Sequence, residues 1–255
     1  MRNPYFENLT KIEFVLTYAC TGKCKHCSEG EHSLCGERID PQIAADSVRR
    51  IAAEYDIKTV MVFGGEPMLY PDALCAIIST ASGLGIPKRQ VITNGYFSKS
   101  RAKIRDAVRR LKNSGVNDLL LSVDAFHQET IPLDIVKFFA TEAKTCGIPI
   151  RLSPAWLVSR EDNNQYNAKT RQILKSFECE GIFAGDGNVI FPEGNALKYL
   201  SEHFSDNLPE NPYTGDPCNV KCISFEPNGG VLGGNVYRND IIEIIENYTP
   251  QAICG

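Results

Sequence analysis

Three cysteines lie close together near the start of this 255-residue chain, with the spacing C-x3-C-x2-C. Cys20, Cys24 and Cys27 would place three thiolates within eight residues, enough for three corners of a cubane iron–sulfur cluster. A cluster that only transfers electrons normally has four cysteine ligands. Three close ligands without an obvious local fourth therefore predict a cluster with one iron open to an outside ligand, and so chemistry at that iron.

Two other uses of these cysteines were weighed. A structural zinc ion takes four ligands and would need a further cysteine or histidine nearby. Cys35 and His32 could supply it, whereas His26, which lies between two of the cysteines, is poorly placed to bind the same ion. Disulfides do not suit an odd set of three in a chain that shows no secretory signal. The open-site cluster is the favoured interpretation.

A second motif, Gly64-Gly65-Glu66-Pro67, follows an apolar, β-branched run that predicts a buried parallel strand. Two glycines at the carboxyl end of a strand have no Cβ atoms, so backbone carbonyls there can approach a ligand closely. Glu66 adds a carboxylate, which makes this edge rich in acceptors and suited to an ammonium group. The alternative is an ordinary strand-to-helix turn in which Pro67 helps to begin the next helix.

Together the two motifs resemble those of the radical S-adenosylmethionine (radical SAM) superfamily. In that family three cysteines hold a [4Fe-4S] cluster, and the amino and carboxylate groups of S-adenosylmethionine chelate the fourth iron. The resemblance implies an enzyme that reductively cleaves S-adenosylmethionine to a 5′-deoxyadenosyl radical, which abstracts a hydrogen atom from a substrate. An electron donor such as flavodoxin or ferredoxin is then expected. The implied cluster ligands are Cys20, Cys24 and Cys27, and the implied cofactor contacts are His26, Gly64, Gly65, Glu66 and Pro67.

The elements that position these motifs alternate between strands and helices along the chain. Strands are predicted at 12–17, 59–63, 90–93, 119–123, 148–153, and 181–183 or slightly beyond. Helices are predicted at 41–55, 71–83, 98–113, 133–146 and 163–177. Six such units predict an α/β fold, a partial (β/α)6 TIM-type barrel, which is also the fold that the resemblance implies. We expect the barrel to span residues 1–200 and a smaller extension to span 201–255.

Parallel strands joined by right-handed crossovers place all their carboxyl ends on one rim, where sites form. After the third and fourth strands come short polar residues that could contact the ribose, carboxylate or methionyl part of the cofactor. The fifth strand carries an arginine that could neutralise the cofactor carboxylate. The cofactor contacts predicted in this way are Thr93, Asn94, Ser122, Asp124 and Arg151.

Each of these residues also has a purely structural interpretation. Asn94 with Gly95 forms a common turn pair, Asp124 could cap the segment that follows, and Arg151 could pair with a carboxylate at the surface. His127 follows the fourth strand on the predicted rim, and it could orient or protonate a substrate as a catalytic residue. A structural histidine is an equally good interpretation of His127.

The C-terminal segment is expected to form a small β-hairpin around Pro-Asn-Gly-Gly, followed by a short helix. It partly resembles the auxiliary-cluster extension (twitch or SPASM type) of peptide-modifying radical SAM enzymes, and this resemblance implies a peptide or protein substrate. A small-molecule or nucleic-acid substrate, and a non-catalytic iron–sulfur or zinc protein, are the alternatives. A possible second cluster would draw on Cys218, Cys222, Cys254 and Cys179, but we expect one cluster, with about four irons per chain.

Composition limits the partners and the compartment. No run approaches the ~18 apolar residues of a membrane helix, so no membrane association is expected. Ten cysteines without a secretory signal favour a reducing cytoplasm. The net charge of −4 gives no general attraction to nucleic acid. One basic stretch, 99–112, is interpreted as the solvated face of an amphipathic helix, because no aromatic residues for base stacking lie among its charges.

Overall fold

The computed structural model describes residues 2–204 and 209–250. Its strands, in chain order, are β1 (Lys11–Val15), β2 (Thr59–Phe63), β3 (Lys88–Thr93), β4 (Asp118–Ser122), β5 (Ile150–Ser153), β6 (Ala155–Trp156), β7 (Asn188–Val189), β8 (Cys222–Phe225), β9 (Gly230–Val231) and β10 (Gly234–Asn235). Its helices are α1 (Pro41–Glu54), α2 (Pro71–Gly83), α3 (Arg101–Ser114), α4 (Leu133–Thr145), α5 (Gln165–Glu178), α6 (Gly194–Tyr199) and α7 (Ile241–Glu246).

Local sequence signals explain where the helices begin and end. The Asp40 side chain accepts hydrogen bonds from the first free backbone N–H groups of α1, and Pro41 occupies the first helical position, where no N–H is needed. Ser100 caps α3 in the same way. Gly115 ends α3 in the left-handed conformation (φ 93°), which a residue without Cβ adopts at little cost.

Six strands form one parallel sheet in the order β5-β4-β3-β2-β1-β8. One face of this sheet packs on the helices and forms the main core, where alternate strand side chains are fully or almost fully buried. These core residues include Ile12, Phe14, Val60, Val62, Val91, Leu119, Leu121, Leu152, Ile223 and Phe225. The architecture is consistent with a partial TIM-type barrel, and all six carboxyl ends meet at one edge.

The opposite face of the sheet carries a polar network near its amino end. Asp118 accepts hydrogen bonds from Gln90 (2.6 Å) and Arg151 (3.1 Å), and the Lys88 ammonium lies 3.1 Å from the same carboxylate oxygen. These charges are satisfied by one another. The residues of this network therefore lie at the amino end of the sheet, away from the edge where the carboxyl ends of the strands meet.

Two predicted elements differ in the structure. The strand expected at 181–183 or slightly beyond is reduced to a single parallel bridge between Ala184 and Leu152, with hydrogen bonds from Leu152 N to Phe183 O and from Gly185 N to Leu152 O (both 2.9 Å). Gly181 and Gly187 have positive φ and interrupt the extended run on both sides. The sixth strand of the sheet is instead β8, which pairs in parallel with β1 at the other side of the sheet.

The C-terminal hairpin is smaller and lies later than expected. Its predicted first strand is β8, which joins the main sheet and does not pair antiparallel with β9. The hairpin consists of β9 and β10, joined by Leu232 and Gly233, both with positive φ as a two-residue type I′ turn requires. The short helix that was expected after it is α7. No helix in the described ranges is both long and apolar enough to cross a membrane.

Candidate functional site

The cysteine loop is attached to the end of β2 by backbone hydrogen bonds. The N–H of Gly65 donates to the carbonyl of Thr17 (2.7 Å), and the N–H of Glu66 donates to the carbonyl of Ala19 (2.8 Å). A Cβ on Gly65 would lie 2.2 Å from the Ala19 oxygen, and one on Gly64 (φ 131°) would lie 2.5 Å from the Thr17 oxygen. The two glycines therefore let the segment before Cys20 pack directly on the segment after β2.

This attachment brings the three cysteines to the edge of the sheet, where they share one cavity of about 100 Å³. The lining side chains come from the cysteine loop and from the carboxyl ends of β2, β3 and β4. Most of the residues predicted to form the site are among them. The cavity is lined by Cys20, Gly22, Cys24, His26, Cys27, His32, Gly64, Gly65, Ile92, Thr93, Asn94, Ser122 and His127.

Burial disfavours the ionised form of the thiols in this cavity. Burial raises the pKa of Cys20 to about 12 and also raises the pKa values of Cys24 and Cys27. A buried thiolate becomes stable when a metal replaces its proton. Three thiols that face one cavity, with Cys24 buried and Cys20 and Cys27 half-buried, are therefore a donor set suited to a metal cluster.

The spacing of the sulfurs does not suit a single ion. Three sulfurs around one tetrahedral zinc, at about 2.3 Å each, would lie about 3.8 Å apart. Within the described residues, the one trio of possible ligands with all atoms within 4.8 Å is Cys24, His26 and His127. The cysteine trio is more widely spaced than that, as a multi-iron cluster requires.

Glu66 is fully buried below the cavity and does not line it. Its carboxylate accepts hydrogen bonds from Met68 N (2.9 Å), Thr93 Oγ1 (2.7 Å) and Asn94 N (2.8 Å). Burial raises the pKa of Glu66 to about 7, although these hydrogen bonds oppose the shift. The side chain therefore joins the end of β2 to the end of β3, and only the two glycines of the motif reach the cavity. Pro67 is buried at the start of a 3-10 turn.

Asn94 connects the end of β3 to the cysteine loop. Its Nδ2 lies 3.6 Å from the Cys20 sulfur and 3.2 Å from Thr21 Oγ1, and its Oδ1 accepts from Tyr96 N (2.8 Å). The predicted contact was with the cofactor's ribose or carboxylate. In the structure the amide side chain faces a predicted cluster ligand.

Asp124 and two histidines form the wall next to Cys24. The buried Asp124 accepts from the backbone N–H groups of Phe126 and His127, and its other oxygen lies 2.8 Å from His127 Nδ1. Burial alone would raise the pKa of Asp124, but the adjacent His127 outweighs it and holds the pKa well below the usual range. This contact fixes the His127 ring, so Asp124 acts as a support behind the cavity and does not line it.

His26 is a half-buried ring in this wall. It packs against Phe126 and His127 with ring centroids 5.1 and 4.8 Å apart, and burial lowers its pKa to about 4. Its Nδ1 has no hydrogen-bond partner within the described part of the chain. A flat, neutral ring with an unsatisfied nitrogen suits the expected contact with a bound cofactor.

Arg151 is not brought to the cavity. Its guanidinium is about half exposed and pairs with Asp118 in the polar network at the amino end of the sheet. Arg151 thus forms the ion pair with a carboxylate that was the structural alternative for this residue. Its position does not support the predicted contact with the cofactor carboxylate. Ser122 does line the cavity, at the end of β4.

Asn195 at the start of α6 holds the cysteine loop, and sequence analysis missed it. Its Nδ2 donates to the carbonyls of Cys24 (3.1 Å) and Gly30 (3.0 Å), and its N–H donates to that of Cys27 (2.8 Å). A Cβ on the preceding Gly194 (φ 52°) would lie 2.2 Å from Ser28 O. The pair Gly194-Asn195 was visible as a turn signal, but nothing local indicates its partner.

We expect Asn195→Ala to loosen the cysteine loop, although the variant should still bind a cluster. Two carbonyls lose their donor, which costs about 1–3 kcal/mol when the groups stay buried. The reconstituted variant should release iron to a chelator several times faster than the unmodified protein. Asn188→Ala, at an exposed position in β7, is the matched control and should release iron at the original rate. Equal release from both variants would contradict the role of Asn195.

The cysteines considered for a second cluster are dispersed among the described residues. Cys222 begins β8, opposite Lys11 at the amino end of the sheet, and Cys218 is exposed in the turn before it. Cys179 is exposed just after α5. Cys254 lies outside the described residues. No second group of close metal ligands occurs among the residues that are described.

Comparison with known proteins agrees with this geometry. A family model described as the radical SAM superfamily matches residues 14–144, just over half of the chain. A probable GTP 3′,8-cyclase of Sulfolobus acidocaldarius is 32% identical over 171 residues, which are 64% of this chain and 51% of that protein. One of Saccharolobus islandicus is 29% identical over 262 residues, covering 97% of this chain and 77% of the relative. The chain spans about half the length of the first relatives it matches.

Solved structures show the same fold. Streptococcus suis SuiB bound to S-adenosylmethionine has a TM-score of 0.65 at 13% identity, over 95% of this chain and 67% of that one. Native anSMEcpe with bound AdoMet has a TM-score of 0.58 at 14% identity, over 93% and 80%. At these identities the likeness concerns the fold alone. The family match and the shared cavity lead to one conclusion: this chain belongs to the radical SAM superfamily, whose [4Fe-4S] cluster and S-adenosylmethionine are its cofactors.

Proposed function

We propose that this enzyme reductively cleaves S-adenosylmethionine and uses the resulting 5′-deoxyadenosyl radical to abstract a hydrogen atom from a substrate. The observation that carries the proposal is the cavity at the carboxyl edge of the sheet, which Cys20, Cys24 and Cys27 share with Gly64 and Gly65. Sulfur donors and open backbone acceptors face the same space there. This is the arrangement that the chemistry needs, because metal and sulfonium must meet in one site.

The residues would divide the work as follows. The three cysteines would bind the cluster, and Asn94 would donate a hydrogen bond to the Cys20 sulfur, which is one way a protein adjusts a cluster's potential. The backbone of Gly64 and Gly65 would bind the methionine amino group, with Glu66 fixing that backbone from below. His26 would pack against the cofactor, and Ser122 would offer it a hydroxyl group, while the Thr93 hydroxyl donates to Glu66. Asp124 would hold the His127 ring beside Cys24.

The test is cofactor cleavage by anaerobically reconstituted protein. With dithionite as reductant, the protein should form 5′-deoxyadenosine and methionine in equal amounts, measured by liquid chromatography and mass spectrometry. The same protein with all three cysteines replaced by alanine should form neither product. A fully loaded protein that leaves S-adenosylmethionine intact would instead favour a non-catalytic iron–sulfur protein.

For the substrate we propose a small molecule over a peptide. The peptide prediction rested on the C-terminal resemblance, and that segment instead contributes β8 to the main sheet. The relatives of Sulfolobus acidocaldarius and Metallosphaera sedula are named for a reaction on GTP. About half of each of those relatives has no counterpart in the match, so we extend only the substrate class and not GTP itself.

Size-fractionated anaerobic cell extract separates the two classes. Substrate binding should speed the slow uncoupled formation of 5′-deoxyadenosine, and we expect this stimulation from the fraction below about 1 kDa. GTP is tested separately as a pure compound. Stimulation that appears only with the peptide or protein fraction would return the assignment to a peptide substrate.

We also propose that the chain holds one cluster. Reconstituted protein should contain about four irons per chain. Cys218→Ser and Cys222→Ser should leave that number unchanged, since Cys218 is exposed in the turn before β8 and Cys222 lies at the amino end of the sheet, away from the cavity. About eight irons, falling to four in either variant, would establish the auxiliary cluster.

The compartment and the electron source remain proposals of the same kind. The nine cysteines in the described ranges are free thiols, which suits a reducing cytoplasm. Radical SAM enzymes require a reductant, and we propose a small electron-transfer protein such as flavodoxin or ferredoxin for this chain. Labelling of intact cells and fractionation would test the location.

A further inference from the structure

A second, larger cavity of about 550 Å³ lies on the outer side of the cysteine loop. The cysteine loop forms one wall, and the segment between β3 and α3 forms the other. Cys20 and His32 line both this outer cavity and the cofactor cavity. The predicted cluster ligand Cys20 is therefore itself part of the wall between the outer cavity and the cofactor cavity.

The outer cavity has basic side chains and no acidic ones. Lys23 and Lys99 line it, and the exposed Arg101 and Lys103 follow in the first turn of α3. None of these four cations forms an ion pair with a carboxylate of the described residues. The more distant basic residues of α3 do: Arg105 pairs with Glu142, Arg109 with Asp106, and Arg110 with Asp72. Unpaired positive charge is therefore concentrated beside the cysteine loop.

Apolar groups complete this surface. Leu34 is 68% exposed at its edge, and Tyr96 and Phe97 are half-buried in its wall. Small apolar centres surrounded by unpaired charges are typical of transient interfaces, and weak electron-transfer encounters bury little area. The charge selects an acidic partner, because complementary potentials raise the rate of encounter.

We propose that this surface is the docking face for an acidic flavodoxin-type protein, whose electron reaches the cluster by way of Cys20. The docking face consists of Lys23, Leu34, Tyr96, Phe97, Lys99, Arg101 and Lys103. The inference rests on the proposed function, since it assigns a place to the electron donor of that reaction. One electron leaves the reduced flavin, which passes from hydroquinone to semiquinone, and the [4Fe-4S] cluster is reduced by that electron. No atom or group is transferred.

The experiment follows cluster reduction in the reconstituted full chain by stopped-flow absorbance, with flavodoxin hydroquinone or dithionite as reductant. The test variant is Lys99→Glu with Lys103→Glu. The matched control is Lys169→Glu with Lys175→Glu, which reverses two exposed charges on α5. We expect the second-order rate constant with flavodoxin to fall about tenfold at low salt in the test variant only, with a weaker salt dependence. Reduction by dithionite should be the same in all three proteins.

Each other outcome overturns the proposal. An unchanged rate and salt dependence with flavodoxin, while dithionite still reduces the cluster, overturns the docking face alone. Equal slowing in the control variant shows a general charge effect, and equal slowing with dithionite shows a structural defect. Unmodified protein that dithionite cannot reduce overturns the proposed function as well. Fluorescence anisotropy with a labelled RNA hairpin is run in parallel, because binding that disappears in the test variant alone would assign the surface to nucleic acid.

Discussion

Cys24→Ala should remove the cluster and lower 5′-deoxyadenosine formation by about 100-fold or more. Changes to groups that merely support metal ligands already cost about 10- to 100-fold in metal affinity or activity, so the loss of a ligand should cost at least as much. Cys24 is only 7% exposed, and its carbonyl is held by Asn195, so no neighbouring backbone shift can bring a replacement donor into its place. Iron content and visible absorbance after anaerobic reconstitution measure the result.

Cys146→Ala is the matched control for this experiment. Cys146 is a free, half-buried thiol at the end of α4, far along the chain from the loop, and the variant should keep its iron and its activity. Metal analysis also distinguishes the alternative that Cys24, His26 and His127 bind one ion. That alternative predicts a single zinc or iron per chain in the unmodified protein. Full iron and unchanged cofactor cleavage in Cys24→Ala would contradict the assignment of Cys24 as a ligand.

Most of the fold could be predicted because its signals are local. α2 has the predicted bounds, since Pro71 and Asp72 begin it and the apolar pattern continues to the predicted end. β2 likewise coincides with a short β-branched run that is bounded by charged residues and glycines. The sixth strand of the sheet was misplaced because an apolar run predicts a strand but does not indicate which other strand it pairs with. Residues 181–183 and β8 both read as strands, and only pairing with β1, more than 200 residues earlier in the chain, selects β8.

In the candidate site, too, the residues of local motifs could be predicted and those that depend on long-range contacts could not. The cysteines and Gly64-Gly65 are contiguous motifs, so their types and spacing carried the prediction. The tasks of Glu66, Arg151 and Asn195 depend on contacts between distant segments. Glu66 could have faced a ligand, but Thr93 and Asn94 satisfy its carboxylate. Asn195 bonds to a residue 171 positions away, a relation that no spacing in one sequence reveals.

Gly65→Ala should destabilise the metal-free protein by about 3 kcal/mol and prevent it from taking up a full cluster. The added Cβ would lie 2.2 Å from Ala19 O and 2.7 Å from Ala19 C, and both atoms belong to backbone that cannot rotate away as a side chain can. The Cys20 segment must then separate from the end of β2, which breaks the hydrogen bonds from Gly65 to Thr17 and from Glu66 to Ala19. Overpacking of this kind typically costs 1–3 kcal/mol, and lost hydrogen bonds add to it.

Gly83→Ala supplies the comparison, because a Cβ there meets nothing within 4 Å and the residue ends α2. Alanine in a helix is favoured over glycine by roughly 0.5–1 kcal/mol, so this variant should be as stable as the unmodified protein or slightly more stable. Denaturant unfolding of both metal-free variants under reducing conditions measures the difference, and iron titration then reports how much of the site forms. If Gly65→Ala unfolded at the same denaturant concentration as Gly83→Ala and bound four irons, the close backbone approach at Gly65 would not be what positions the cysteine loop.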